Sequence, residues 1–333
     1  MCAFLRGGGH SRGGARDARK RADRKKPRSN EPNGDAGMLP AEILQRVRRL
    51  EIHTKALVSE LFAGQYHSVF KGQGMEFAEV REYVPGDDIR TIDWNVTARL
   101  GVPFVKKYSE ERELTVFLLV DASGSQRFGS EGRSKMELAA EVGAVLAFSA
   151  INNHDKVGLL IFTDRTELLI PPRKGRAHGL RIIREILYNR PEGRRTDLAA
   201  ACETAIHALR RRATVFLLSD FLVDPGPVDQ PLGALARKHD LIALAMRDPL
   251  EASWPKVGLV EWEDLESGRS FLVDTTDAGV RGKLEANYRR QREQVAAMLR
   301  RHKVDQVPLE VGGDPVEPLQ AFFRLRERRR ARE

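Results

Sequence analysis

Short apolar runs alternate with longer amphipathic segments from residue 114 to about residue 246. The runs are almost continuously apolar, whereas the segments between them repeat apolar residues at helical spacing. Continuous apolar strands separated by helices are typical of a mostly parallel sheet that helices cover on both faces. We therefore predict an α/β fold with strands at residues 114–120, 156–163, 214–219 and 241–246 and helices at 135–152, 179–189, 198–212 and 231–239.

Weaker patterns extend this domain at both ends. Each has the length and the flanking turn signals of a single strand or helix. The predictions are an antiparallel edge strand at 166–170, a hairpin of strands 258–263 and 269–274 around Ser267-Gly268, a helix at 278–302 packed on the sheet and, upstream, a helix at 41–62 and strands at 77–84 and 103–108.

Net charge is concentrated at the two ends of the chain. Residues 1–36 carry 10 Lys or Arg against 4 Asp or Glu, and residues 321–333 carry 6 against 2. The total of +9 therefore leaves residues 37–320 with a net charge of −1. A basic tail can bind nucleic acid or anionic lipid, but it can equally be a solubilising appendage. Nucleic-acid binding through the tails thus stands only as an alternative function.

The composition divides the chain into four parts. Residues 1–37 are rich in Gly, Arg and Lys and are expected to be a disordered basic tail, although Met38 also reads as a start of translation. Residues 38–112 hold the N-terminal helix and a small β segment. The α/β domain occupies residues 113–303, and residues 304–333 form a C-terminal segment with a basic tail.

The sequence favours a cytoplasmic protein. Its apolar runs fall short of the roughly 20 residues that cross a bilayer, and its first residues become charged too soon for a signal peptide. Cys2 and Cys202 do not suggest a disulfide framework. Cys202 lies in a helical pattern, where we expect a small buried side chain rather than a nucleophile. The oligomeric state is left open.

Three loops of the predicted sheet carry side chains with oxygen atoms. Asp121, Ser123 and Ser125 follow the first strand, Thr196 precedes the helix at 198, and Asp220 ends a later strand. Loops at the carboxyl ends of parallel strands emerge at one edge of a sheet, so these five residues can converge. With water, they supply the oxygen ligands that suit Mg2+ or Mn2+. The simpler alternative is that Ser123 or Ser125 only caps the next helix.

The same residues resemble a known binding site. Asp121-x-Ser123-x-Ser125, with the later Thr196 and Asp220, is similar to the metal-ion-dependent adhesion site of von Willebrand factor A domains. The resemblance implies that the serines and the threonine bind the metal directly or through water. It also implies that the aspartates act largely through water, and that a partner protein supplies an acidic final ligand.

The stretch from residue 72 to residue 99 carries further motifs. They are Gly72-Gln-Gly-Met-Glu-Phe77, Arg81-Glu-Tyr83, Pro85-Gly-Asp-Asp-Ile-Arg90, Ile92-Asp-Trp94 and Thr97-Ala-Arg99. Together they resemble the signature of the bacterial domain-of-unknown-function fifty-eight family, whose members join this segment to a von Willebrand A-like, Rossmann-like domain. The resemblance implies an adaptor that acts with a MoxR-type AAA+ ATPase.

The loop that carries Thr196 departs from the usual pattern. Arg194-Arg195 stands where small residues commonly precede the loop threonine. The bulk and charge of these arginines could weaken metal binding or recruit an acidic partner.

Two functions of different classes follow. The leading one is a non-enzymatic, metal-dependent adaptor that engages an acidic residue of a client protein, with a MoxR-type AAA+ ATPase as partner. The sequence has no Gly-x-x-x-x-Gly-Lys-Ser/Thr loop, so ATP use would belong to that partner. The alternative is a Mg-dependent phosphoryl-transfer enzyme with Asp121 as nucleophile, but Ser123 stands where haloacid-dehalogenase-type phosphatases need a second aspartate.

Overall fold

The computed structural model describes residues 3–6, 76–109, 114–130 and 132–332. The predicted helix at 41–62 lies outside these ranges. The strands are β1 (Ala3–Arg6), β2 (Glu76–Glu82), β3 (Phe104–Ser109), β4 (Thr115–Asp121), β5 (Lys156–Phe162), β6 (Thr166–Arg173), β7 (Thr214–Ser219), β8 (Asp240–Arg247), β9 (Leu259–Asp264), β10 (Arg269–Asp274) and β11 (Asp305–Glu310). The helices are α1 (Trp94–Leu100), α2 (Lys135–Asn152), α3 (Arg176–Tyr188), α4 (Leu198–Ala208), α5 (Pro225–Lys238), α6 (Pro249–Ala252), α7 (Ala278–Arg301) and α8 (Val316–Arg330), with short 3-10 turns at Ile89–Thr91 and Gly124–Arg127.

A six-stranded sheet forms the centre of the fold, in the order β11-β8-β7-β4-β5-β6. Every neighbouring pair is parallel except β5 with β6, which is antiparallel. The predicted mostly parallel α/β fold and its antiparallel edge strand are therefore confirmed. The order also places β4 and β7 side by side, so the loops that follow them start from adjacent strand ends.

Helices cover both faces of this sheet and bury two apolar clusters. Alternate residues of each strand point to opposite faces. Leu118 of β4 accordingly packs in one cluster with α2, α3 and α8, while Leu119 packs in the other with α4, α5 and α7. The prediction that residues 278–302 lie on the sheet is confirmed, since Val295, Met298 and Leu299 of α7 are buried. No helix in the described ranges is long and apolar enough to span a bilayer.

Helix α5 begins six residues before the predicted start at Pro231, so that prediction is wrong. The Asp224 side chain accepts a hydrogen bond from the backbone N–H of Gly226, and Pro225 occupies the first helical position. From the sequence alone, either Pro225 or Pro231 could begin the helix, because proline suits the first turn, where its missing N–H is not needed. The cap at Asp224 decides between them, and Pro231 lies within the second turn.

Strand β11 and helix α8 belong to the α/β fold, although the sequence pattern predicts neither. Strand β11 pairs in parallel with β8 and forms an outer edge of the sheet. Helix α8 buries Leu319 and Phe323 in the core and holds Arg326 against Asp240 and Asp305. The sheet therefore continues past residue 303. Strand β11 is missed because its residues are mostly polar and include Pro308.

Smaller β units accompany the central sheet. The two strands predicted here are present as β2 and β3, and they pair antiparallel with each other. The turn between β2 and α1 is fixed by two Arg81–Asp87 hydrogen bonds of 2.8 Å each. Strands β9 and β10 form the predicted hairpin. Strand β1 pairs with β9, so the disorder predicted for the basic tail does not extend to residues 3–6. The rest of that tail lies outside the described residues.

We predict that Phe323→Ala lowers the free energy of unfolding by about 3–5 kcal/mol, because it leaves a cavity beneath α8. Leu325→Ala, on the half-exposed side of the same helix, should cost less than about 0.5 kcal/mol. Urea unfolding of the two variants measures both changes. Equal, small losses would show that α8 is not part of the domain core.

Candidate functional site

The loop after β4 forms a buried cluster of oxygen atoms. Asp121, Ser123 and Ser125 have almost no exposed surface, and we call these three residues the oxygen corner. The backbone N–H of Ser123 donates to Asp121 Oδ1 at 3.0 Å, which turns the chain immediately after the strand. The Oγ atoms of Ser123 and Ser125 lie 3.0 Å apart. The loop therefore gathers a carboxylate and two hydroxyls at one point.

Neither serine of the oxygen corner caps the helix that follows. Ser134 is the N-cap of α2, and it forms a capping box with Glu137. Ser123 precedes the short 3-10 turn, but its side chain makes no capping hydrogen bond there. The alternative prediction, that Ser123 or Ser125 serves only to cap the helix, is therefore wrong.

Asp121 is a buried carboxylate whose hydrogen bonds, within the described residues, come from uncharged groups. Its Oδ2 accepts hydrogen bonds from Ser219 Oγ at 2.7 Å and from Gln126 Nε2 at 3.4 Å. Burial, together with the negative charge of Asp220, raises the pKa of Asp121 to about 7. Gln126 Oε1, also buried, has no hydrogen-bond partner within the described part of the chain. Both observations fit a place that a cation or a bound donor would stabilise.

Asp220, at the end of β7, is held by a buried ammonium group. Lys135 Nζ lies 2.6 Å from Asp220 Oδ2 and 2.7 Å from Glu251 Oε1. Burial alone would raise the pKa of Asp220, but the Lys135 charge outweighs it and holds the pKa below its ordinary value. Lys135 thus ties the first residue of α2 to a strand end and to α6.

The backbone turns sharply after Asp220 and adopts a strained conformation there. Phe221 has a φ of 55°, in the left-handed region that residues with a side chain rarely adopt. Its ring is fully buried, and its N–H donates to Ser219 Oγ at 3.0 Å. Ser219 therefore links the turn after β7 to Asp121, since the same hydroxyl donates to that carboxylate.

Thr196 reaches the same sheet edge from the loop before α4. The backbone N–H of Gly124 donates to the carbonyl of Arg194 at 2.7 Å, which joins this loop to the oxygen corner. Thr196 Oγ1 donates to Glu266 Oε1 at 2.8 Å. The structure thus brings the loops of all five predicted site residues together, but the Thr196 hydroxyl is engaged by a carboxylate from the β9–β10 hairpin.

The sequence pattern misses three residues of this site, namely Lys135, Glu251 and Glu266. Their partners lie 85, 116 and 70 residues away along the chain, so no local motif reveals them. Lys135 carries one local signal. It occupies the first helical position directly after an N-cap serine, where the helix dipole disfavours a cation unless a carboxylate lies nearby.

The donor chemistry fits Mg2+ or Mn2+ only if hydroxyl oxygens take part. Within the described ranges, no group of three or more His, Cys, Asp or Glu side chains could hold a metal ion. Hard divalent cations, however, accept neutral oxygen ligands together with carboxylates. A cavity of about 420 Å³ opens beside the oxygen corner, and Ser123 and Gln126 line it. Of the five predicted site residues, Ser123 is the one that borders this cavity.

A family model described as "Protein of unknown function DUF58" matches residues 79–294, more than half of the chain. The chain belongs to this family. Uncharacterized protein Rv1480 of Mycobacterium tuberculosis is 36% identical to this DUF58 chain over 234 residues, covering 68% of this chain and 73% of its own. Uncharacterized protein YeaD of Bacillus subtilis is 28% identical over 109 residues, covering 33% and 25%. Both relatives bear the name of an uncharacterized protein, so neither match indicates an activity.

Solved structures with a related arrangement are more distant. BatB from Bacteroides thetaiotaomicron is 16% identical to this DUF58 chain, with a TM-score of 0.41, covering 65% of this chain and 99% of its own. The VWA domain of SpRpn10 is 16% identical, with a TM-score of 0.32, covering 40% and 75%. Family membership rests on the sequence matches.

We predict that Lys135→Met lowers the free energy of unfolding by about 3–5 kcal/mol, because two buried carboxylates lose their shared counter-charge. Lys283→Met, at an exposed position of α7, is the matched control and should change stability by less than about 0.5 kcal/mol. Urea unfolding at neutral pH measures the difference.

The pH dependence of that loss has a definite sign. A carboxylate with a depressed folded-state pKa stabilises the fold above its ordinary pKa, here 3.8, and loses that contribution as the pH falls through the folded value. The advantage of the wild type over Lys135→Met should therefore shrink on acidification. A loss that grows as the pH falls would contradict the pairing of Lys135 with Asp220.

Proposed function

We propose that this DUF58 protein is a non-enzymatic, metal-dependent protein-interaction module. In this role it works as an adaptor with a MoxR-type AAA+ ATPase in the chaperone-like maturation of client proteins. The observation that carries the proposal is the buried oxygen corner, where Asp121, Ser123 and Ser125 converge without forming a helix cap. The ATPase partner comes from the resemblance of residues 72–99 to the family signature.

Five residues would hold the metal, and each lies on one of the three loops. They are Asp121, Ser123, Ser125, Thr196 and Asp220. When bound, Mg2+ or Mn2+ would supply a concentrated positive charge with affinity for an outside carboxylate. The chain's own contribution is to hold these oxygens in a buried, rigid corner that a partner's acidic side chain can approach.

The charge around the site supports an acidic partner. Arg194 and Arg195 are exposed on the loop that carries Thr196. Two guanidinium groups beside the site would attract an acidic surface before contact and orient it. The departure from small residues at these positions is thus consistent with recruitment of an acidic client.

The hydrogen bonds of Asp121 argue against the enzymatic alternative. A phosphoryl-transfer nucleophile must present an oxygen to the incoming phosphorus atom. Both oxygens of Asp121 instead accept hydrogen bonds from Ser123, Gln126 and Ser219, and the residue has no exposed surface. This arrangement suits a carboxylate that positions other groups better than one that attacks a substrate.

We predict that Ser123→Ala/Ser125→Ala abolishes Mg2+ binding, or weakens it at least about 10-fold, without unfolding the domain. The reason is that the variant removes two of the three hydroxyl ligands and keeps both carboxylates. Isothermal titration calorimetry with MgCl2 measures affinity, and thermal unfolding checks the fold. Ser253→Ala/Ser270→Ala, at two exposed serines, is the matched control. Equal Mg2+ affinity in both double variants would refute the metal site.

We predict that the wild-type protein captures a MoxR-type AAA+ ATPase from an extract of the source cell in MgCl2, and loses it in EDTA. The reason is that the client is proposed to bind through the metal site, and we expect the ATPase to be captured together with the client-bound adaptor. Ser123→Ala/Ser125→Ala should capture little in either buffer. Mass spectrometry identifies the captured proteins. Capture of the ATPase that is indifferent both to chelation and to the serine substitutions would refute a metal-dependent contact.

A further inference from the structure

The β9–β10 hairpin reaches from the edge of the molecule onto the oxygen corner. The carbonyl of Leu265, in the hairpin turn, lies so close to Gly124 that a Cβ atom at this glycine would collide with it. Gly124 also donates its N–H to Arg194, as described above. The hairpin turn, the loop after β4 and the loop that carries Thr196 therefore meet at a single point.

The base of the hairpin is anchored separately from its turn. The rings of Trp254 and Trp262 pack 4.9 Å apart between their centroids. Thr275 Oγ1 donates to the carbonyl of Gly258 and accepts from the N–H of Val257 at 3.0 Å. The Thr275 hydrogen bonds hold the start of β9 and the end of β10 together, and the ring contact joins β9 to the segment that precedes it. The hairpin is thus fixed at its open end, and its turn is the part that contacts the oxygen corner.

Glu266, in the hairpin turn, contacts a predicted site residue. Its Oε1 accepts the hydrogen bond from Thr196 Oγ1, and its N–H donates to Asp264 Oδ1 at 3.1 Å. The residue is only partly exposed. Burial raises the pKa of Glu266, and the charge of Asp220 raises it too, so the two carboxylates lie within electrostatic range of each other.

The charges of the site leave room for one more carboxylate. Lys135 already neutralises part of the Asp220 charge, since its Nζ lies 2.6 Å from that carboxylate. Asp121 alone supplies less than the two negative charges that balance a divalent cation. Affinity at such sites rises with the number of charged ligands. Asp121, Asp220 and Glu266 do not by themselves form a group that could hold a metal ion. Glu266, on the Thr196 hydroxyl, would therefore complete that balance together with the hydroxyl oxygens that lie between the carboxylates.

We propose that Glu266 is an internal carboxylate ligand of this site, and that it occupies the place a partner's acidic side chain would take. The hairpin turn is then a competitor that a partner must displace before it binds. The inference rests on the proposed function, because it assumes a divalent cation at the oxygen corner. It adds a sixth residue to the site and a means of regulating access to it.

The first test is the Mg2+ affinity of the full chain, measured by isothermal titration calorimetry. Glu266→Gln keeps the size of the side chain and removes its charge, so Mg2+ affinity should fall about 10-fold. Glu261→Gln, at an exposed position of the same hairpin, should leave affinity within about twofold. Thermal unfolding of both variants confirms that they are folded.

The second test asks whether Glu266 binds the metal or only accepts the hydrogen bond of Thr196. Sodium acetate at millimolar concentration supplies a free carboxylate, with sodium chloride at equal ionic strength as control. Acetate should raise the Mg2+ affinity of Glu266→Ala several-fold and leave the wild type unchanged, because the wild-type position is already filled. In hydrogen exchange, MgCl2 should slow the amides of residues 264–268 in the wild type and not in Glu266→Gln.

The outcomes distinguish this inference from the proposed function. Absence of Mg2+ binding in the wild type would overturn both. Normal Mg2+ binding in the wild type together with unchanged affinity in Glu266→Gln would overturn the internal ligand and leave the metal site intact. Weakened affinity that acetate does not restore would show that Glu266 only braces Thr196, which also overturns the inference.

Discussion

The ammonium group of Lys135 is the constraint on which the functional edge of this protein depends. An isolated buried charge costs several kcal/mol, and the Lys135 side chain has no exposed surface. Asp220 and Glu251 offset this cost from two different elements, one at the end of β7 and one in α6. The start of α2, the end of β7 and α6 are therefore locked together, and the strand ends beneath the oxygen corner are held in one arrangement.

The ion pairs of Lys135 also affect the electrostatics of the oxygen corner. Asp121 and Asp220 flank the same place, yet only Asp220 has a lysine as partner. Their pKa values are displaced in opposite directions, upward for Asp121 and downward for Asp220. One carboxylate is thus committed to the fold, while the other takes up a proton more readily than a free carboxylate and would give it up when a cation binds. The same division explains why an additional carboxylate, from the hairpin or from a partner, fits the site.

Most of the central sheet could be predicted from the sequence because its strands are buried on both faces. Leu118 and Leu119 point in opposite directions and are equally buried, so the strand reads as one continuous apolar run. Strand β11 offers no such signal, since an edge strand with polar residues and Pro308 resembles a loop. The start of α5 was missed for a different reason. Two prolines fit a helix start, and only the side chain of Asp224 selects the first.

The sequence predicts those residues of the candidate site that lie at the ends of strands. Asp121 and Asp220 follow apolar runs, and a parallel sheet brings such ends to one edge whatever the loops do. The contacts that tune the site depend on side chains distant in sequence, such as Thr196 with Glu266. Local patterns specify where a loop leaves the sheet. They do not specify which distant carboxylate or ammonium group meets it.

The position of β11 has a consequence for how the protein is made. Synthesis proceeds from the N-terminus, so β11 and α8 emerge after every other element of the central sheet. Until then β8 is an open strand edge, and the core residues that Phe323 covers face solvent. An open, apolar edge is a template for pairing with other chains. The nascent protein therefore passes through a period of aggregation risk that ends only when its last strand docks.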